Sequence, residues 1–108
     1  MKMNVVALEV STSSAKCLLF SLREGIIQSY SAPFSEEVSD TASQDPEGVF
    51  AAAMEALTKV LKATDREIAA IGLGGTWHSM LLLDKDRRPL GRIRTWAEIS
   101  ATPLVNRI

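Results

Sequence analysis

The sequence predicts an α/β fold built on a mixed β-sheet, with elements in the order β-β-β-α-β and an extra hairpin after them. Three observations carry that expectation. Three short apolar runs follow one another near the start, joined by "STSS" and "REG". A stretch with helical period then fills residues 45–63. A further apolar run, "EIAAIGLGG", comes straight after it, where a right-handed crossover would lay it parallel to the first strand.

The first run, "NVVALEV", is nearly all apolar and rich in β-branched residues, as in a strand covered on both faces. "AKCLLFSL" is the second, and "GIIQSYSA" a third and more polar one closed by Pro33. Gly25 sits in the second link, where a tight turn favours positive φ. Short links make the three strands a meander. Residues 34–44 read as a polar connection. Asp45 then offers a helix cap, Pro46 suits the first turn, and Glu47 favours the positive end of the helix dipole. Val49, Phe50, Ala53, Leu57, Val60 and Leu61 recur at three and four residues and predict one apolar stripe, with Glu55, Lys59 and Lys62 pointing elsewhere. After "EIAAIGLGG", "TWHS" interrupts, "MLLLD" and "LGRIRTW" read as strands around the charged turn "KDRRP", and "AEISATPLVNRI" as the start of a helix. This order is the ribonuclease-H-like layout.

Bulk composition narrows the function classes. A chain of 108 residues with 46% apolar and 23% charged residues has ordinary globular composition and length for one domain, residues 1–108. Twelve basic against thirteen acidic residues give a formal charge of -1, so there is no global electrostatic case for nucleic acid or an anionic membrane. The lone cysteine, Cys17, lies in an apolar run and reads as a buried, inert thiol. Glu9 cuts the N-terminal apolar stretch short of a signal peptide, and no stretch approaches the ~20 apolar residues of a membrane span. A cytoplasmic location is expected.

Three stretches could carry chemistry. In "LEVSTSSAK" an apolar strand delivers Glu9, then Ser11, Thr12, Ser13 and Ser14, then Lys16. A tight turn of small residues exposes backbone N–H groups, and hydroxyls add donors, a concavity that suits phosphate oxygens. An acid at the strand end would hold Mg²⁺, which takes hard oxygen ligands, and the lysine would add positive charge. A polar β-turn with a strand-edge acid and a solvated lysine is the plainer reading of the isolated stretch. In "IGLGGTWHS", glycines permit close backbone approach, and Trp77 and His78 offer a stacking face and an imidazole suited to a polyol. The plainer alternative there is a core tryptophan and a surface histidine. "TWAE" supplies a second aromatic–acid pair, Trp96 and Glu98, or else a buried tryptophan and a helix-capping acid.

In sequence order, "LEVSTSSAK", "QDPEGVFAAAMEAL", "IGLGGTWHSMLLLDKDRRPL" and "TWAEISA" together resemble the N-terminal part of the FGGY family of carbohydrate kinases. That family opens with a strand, an acid, a glycine-threonine-threonine-serine turn and a basic residue. It continues with an aspartate-proline helix, a histidine-containing sugar loop and a tryptophan-alanine-aspartate segment. The tryptophan-histidine-serine loop is most similar to the gluconate kinase branch. The resemblance implies an actin-like ATPase fold and ATP-dependent phosphorylation of a sugar or sugar acid of the gluconate or xylulose type, with ATP and Mg²⁺ as cofactors. By the same resemblance Glu9 is metal-associated; Ser11, Thr12, Ser13, Ser14 and Lys16 meet the ATP phosphates; and Trp77, His78, Trp96 and Glu98 contact the sugar. Phosphoryl transfer depends mainly on positioning and charge neutralisation, which these residue types can supply.

Glu9 stands where the family has aspartate, Ser11 where it has glycine, and Glu98 and Ser100 where it has aspartate and arginine. The family's catalytic base and adenine pocket lie in segments that would fall after Ile108, so this chain alone is expected to turn over no sugar. The face that would meet the missing C-terminal ATPase domain is expected to drive self-association. Two rival readings follow from the residues. One is a ribonuclease-H-like nuclease, which would need three or four converging carboxylates. The other is a non-catalytic remnant or interaction domain with the kinase fold.

Overall fold

A computed structural model describes residues 3–40, 42–76 and 78–97. Strands β1 (Asn4–Val10), β2 (Ser14–Ser21) and β3 (Gly25–Pro33) form the expected meander. Gly25 takes φ of +83° at the start of β3, where the chain leaves the tight link from β2. After a short strand β4 (Ser43–Gln44), helix α1 (Pro46–Lys62) crosses over to β5 (Ala70–Gly74), which lies parallel to β1. The main sheet has the order β3-β2-β1-β5. A last short strand, β6 (Ile93–Arg94), pairs antiparallel with β4 in a separate small sheet.

Alternation along the strands decides what is covered. Val6, Leu8, Ala15, Cys17, Leu19 and Ala32 are buried on the face that receives α1, together with Ala53, Ala56 and Val60 of the helix. The registers Leu8↔Cys17 and Val6↔Leu19 put these side chains side by side. Burial pushes the Cys17 thiol above its ordinary pKa, as expected for an inert thiol. Ala7 and Glu9 point to the other face and are exposed, so β1 is covered on one face and not, as its apolar run predicts, on both. Among the described residues the cause is the composition of the layers: the helix α1 covers one face.

Asp45 caps α1 as predicted, its carboxylate accepting from the Glu47 amide at 3.3 Å, and Pro46 is the first helical residue. The C-terminal end is closed from the sheet, where Gln28 Nε2 donates to the Val60 carbonyl at 3.1 Å. The helical stripe is shifted from the predicted one. Ala56 is fully buried, whereas Phe50 is 64% exposed. Ala53, Ala56 and Val60 form the centre of the buried stripe, and Phe50 falls on its flank.

The region after β5 departs furthest from the expectation of two full strands. "MLLLD" and "LGRIRTW" form a loose hairpin with isolated bridges at Met80↔Arg94 and Leu83↔Pro89, and only Ile93–Arg94 is strand. Asp84 holds the turn, its carboxylate accepting from the amides of Asp86 (2.8 Å) and Arg88 (2.9 Å). Met80, Leu82 and Leu90 are exposed, so among the described residues the apolar side chains that suggested strands enter no core. The expected helix after Trp96 lies outside the described residues. Among those described, no helix is long and apolar enough to cross a membrane.

Candidate functional site

Meander geometry puts the hydroxyl-rich turn at the end of β1, and hydrogen bonding within the turn fixes its shape. Val10 pairs with Ala15, leaving 11–14 to reverse the chain. The Ser11 amide donates to the Ser14 carbonyl at 2.9 Å. The Ser11 hydroxyl donates to that same carbonyl at 3.1 Å and accepts from the amides of Ser13 and Ser14, each at 3.3 Å. Among the described residues other than glycine, positive φ occurs only at His78 and Arg87, so serine occupies position 11 without left-handed strain.

The connection 34–44 buttresses this turn. Three of its carbonyls are each bonded from that segment: Gln44 Nε2 to Ser11 (3.0 Å), the Ser39 hydroxyl to Thr12 (2.5 Å), and the Phe34 amide to Ser13 (2.9 Å). Gln44 is only 2% exposed and also donates to the Ser39 hydroxyl at 3.3 Å. The segment is in turn pinned at Ser43. The Asp40 carboxylate accepts from the Ser43 amide at 2.8 Å, and Arg92 Nε donates to the Ser43 hydroxyl at 2.8 Å. The Ser43 amide, more than the Arg92 charge, holds the Asp40 carboxyl below the usual aspartate range. Arg92 also donates to the carbonyls of Glu37 and Val38, each at 3.3 Å.

The second wall comes from the parallel neighbour. Parallel strands release their chains at the same end, so the loop after β5 emerges beside the turn after β1. Glu9 is in register with Gly74, and a Cβ built on that glycine would lie 3.9 Å from Glu9 Cγ. The Glu9 side chain therefore leans over the end of β5. The Thr76 hydroxyl donates to the Val10 carbonyl at 3.3 Å and ties the two loops together. Between residues 9–12 on one side and 74–76 on the other is an open cleft of about 290 Å³, with Trp96 on its edge. Trp96 is 61% exposed, so it is not the buried tryptophan of the alternative reading of "TWAE".

Of the residues singled out from sequence, Glu9, Ser11, Thr12 and Trp96 therefore meet at one cleft. Ser13 and Ser14 complete the turn. Lys16 sits on β2 directly opposite Glu9 in register, exposed on the uncovered face and outside the cleft lining. His78 is exposed two residues past Thr76, with φ of +53°. Trp77 and Glu98 lie outside the described residues. The sequence reading passed over Thr76, which lines the cleft, and Gln44 and Ser39, which hold the turn beside it. A glutamine beside a helix-capping aspartate, and a threonine closing "GLGGT", were the available signals.

A mixed sheet of order β3-β2-β1-β5 with one crossover helix between parallel neighbours defines an α/β protein with the ribonuclease-H-like fold. The chain belongs to the FGGY family of carbohydrate kinases, whose N-terminal domain model matches residues 4–108. It is similar to a gluconokinase of Bacillus licheniformis, with 28% identity over 97 residues covering 87% of this chain and 19% of that protein. To the xylulose kinase of Streptomyces coelicolor it is 30% identical over 105 residues, covering 96% of this chain and 22% of the other. The solved gluconate kinase of Lactobacillus acidophilus superposes with a TM-score of 0.86 at 24% identity, over 99% of this chain and 22% of that one, a likeness of fold. The chain spans about a fifth of the length of the curated relatives it matches.

Proposed function

We propose that this chain is the sugar- and phosphate-binding part of an ATP-dependent carbohydrate kinase acting on a sugar or sugar acid of the gluconate or xylulose type. The observation that carries the reading is the shared cleft: a hydroxyl-rich turn with one acid on one wall, and a glycine-threonine loop with an exposed indole on the other.

The donor set fits the expected ligands. A single carboxylate, Glu9, beside hydroxyls suits Mg²⁺, which is commonly held by one or two carboxylates plus substrate phosphates. Bound MgATP would supply the transferable phosphoryl group, with its charge partly neutralised by the metal. Thr12 and Ser13 contribute hydroxyl donors at the turn, and Lys16 places a positive charge on the neighbouring strand. The Trp96 indole offers a flat apolar face to the C–H side of a polyol, and Gly74 and Gly75 keep that wall low. His78, Trp77 and Glu98 are assigned to the sugar by their places in the family's motifs.

No residue of this chain is assigned to taking the hydroxyl proton, so the chain alone should bind ligand and catalyse nothing. The nuclease reading loses support, because Asp84 is engaged in its own turn and no group of three acids, histidines or cysteines comes together among the described residues. Calorimetry with MgATP, gluconate and xylulose tests the proposal. Binding of MgATP and of at least one sugar, without ADP release, supports it. Multiple turnovers, or binding of neither ligand, would refute it.

A further inference from the structure

Resting on the phosphate reading of the 11–14 turn, we propose that Ser11 caps that turn from within and sets how tightly it takes a phosphate. A hydroxyl oxygen donates one hydrogen bond and accepts two. Ser11 Oγ uses all three, donating to the Ser14 carbonyl and accepting from the amides of Ser13 and Ser14. Those two amides are the donors that a tight turn would otherwise present to an anion. The serine oxygen occupies the place of a phosphate oxygen.

The turn cannot simply rotate to present other donors. Gln44, Ser39 and Phe34 hold the carbonyls of Ser11, Thr12 and Ser13. Rotating a peptide to aim a new N–H at the ligand would break one of these bonds. A phosphate must therefore displace the Ser11 hydroxyl to reach the Ser13 and Ser14 amides. Glycine at this position removes the competitor. Hydrogen bonds to an ionised acceptor are roughly twice as strong as neutral ones, so freeing two amides should tighten anion binding by about tenfold or more. Serine for glycine at position 11 is thus a determinant of ligand affinity, and it acts through its oxygen rather than its added Cβ.

The test compares the wild-type chain with Ser11→Gly and Ser11→Ala, the second keeping the Cβ and losing the hydroxyl. Amide hydrogen exchange in the free proteins should be faster at Ser13 and Ser14 in both variants. Tripolyphosphate and MgATP, titrated into ¹⁵N-labelled protein, should bind both variants about tenfold or more tightly than wild type, with the largest shifts at those two amides. If wild type binds with shifts centred on the turn and neither variant binds more tightly, the capping proposal fails and the phosphate reading stands. If no form binds either probe, both fail. A gain in Ser11→Gly without one in Ser11→Ala would also overturn it, by assigning the effect to the Cβ.

Discussion

Replacing Gly48 by alanine sets helix propensity against a single steric contact. Gly48 lies in the first turn of α1, where alanine should stabilise the helix by about 1 kcal/mol. A Cβ there would lie 2.6 Å from Val38 Cγ2, 3.0 Å from Val38 Cγ1 and 3.2 Å from Asp45 Oδ2. Val38 belongs to the segment that buttresses the 11–14 turn. Its backbone is fixed by the Asp45 amide donating to the Val38 carbonyl at 2.7 Å and by Arg92 at 3.3 Å. A β-branched side chain has few rotamers with which to retreat. Overpacking of this kind costs about 1–3 kcal/mol, so Gly48→Ala should be destabilising by about 1 kcal/mol net. Val38→Ala removes both clashing methyls. In its background the same glycine replacement should become neutral or stabilising, a coupling of about 1–3 kcal/mol. Urea unfolding of the four proteins measures it. A Gly48→Ala protein about 1 kcal/mol more stable than wild type would refute the placement of Val38 over the helix start.

Gln44→Ala should cost about 1–3 kcal/mol, because it strips the Ser11 carbonyl and the Ser39 hydroxyl of a buried donor; chemical denaturation reads the loss, and faster amide exchange across 11–14 locates it. Asp40 has a folded pKa below its unfolded value, so its stabilising effect is full above the unfolded pKa and disappears as pH falls through the folded one. An Asp40→Asn protein should therefore lose stability at neutral pH and show a shallower acid limb below about pH 4, followed by thermal unfolding against pH. Cys17, buried with a raised pKa, should react with a thiol reagent only at the rate of global unfolding, and rapid labelling of the native protein would contradict its place in the core.

Much of the frame is legible in the sequence because its determinants are local. Alternation, short links and one capped amphipathic helix mark β1 to β3 and α1, and the apolar run after the helix implies the parallel placement of β5. What is not legible depends on partners distant in sequence. Met80, Leu82 and Leu90 have the composition of strand residues, yet they stay exposed, and among the described residues their hairpin forms only isolated bridges and the short β6. Phe50 satisfies the helical spacing of the stripe, but its buried centre is Ala53, Ala56 and Val60. At the site, the acid and the hydroxyls announce themselves as residue types. The segment 34–44 does not, because its role is to hold carbonyls through Gln44, Ser39 and a backbone amide. Nor does composition reveal that Ser11 bonds to its own turn.

The most direct test of the shared cleft uses Mn²⁺ with ATP as a paramagnetic probe of the ¹⁵N-labelled chain. Amide signals from residues 9–14 and 74–76 should broaden together, ahead of all others. Broadening centred instead on Asn4, Ser21 and Arg66 at the opposite end of the sheet, or confined to one of the two loops, would contradict a common opening for phosphate and sugar.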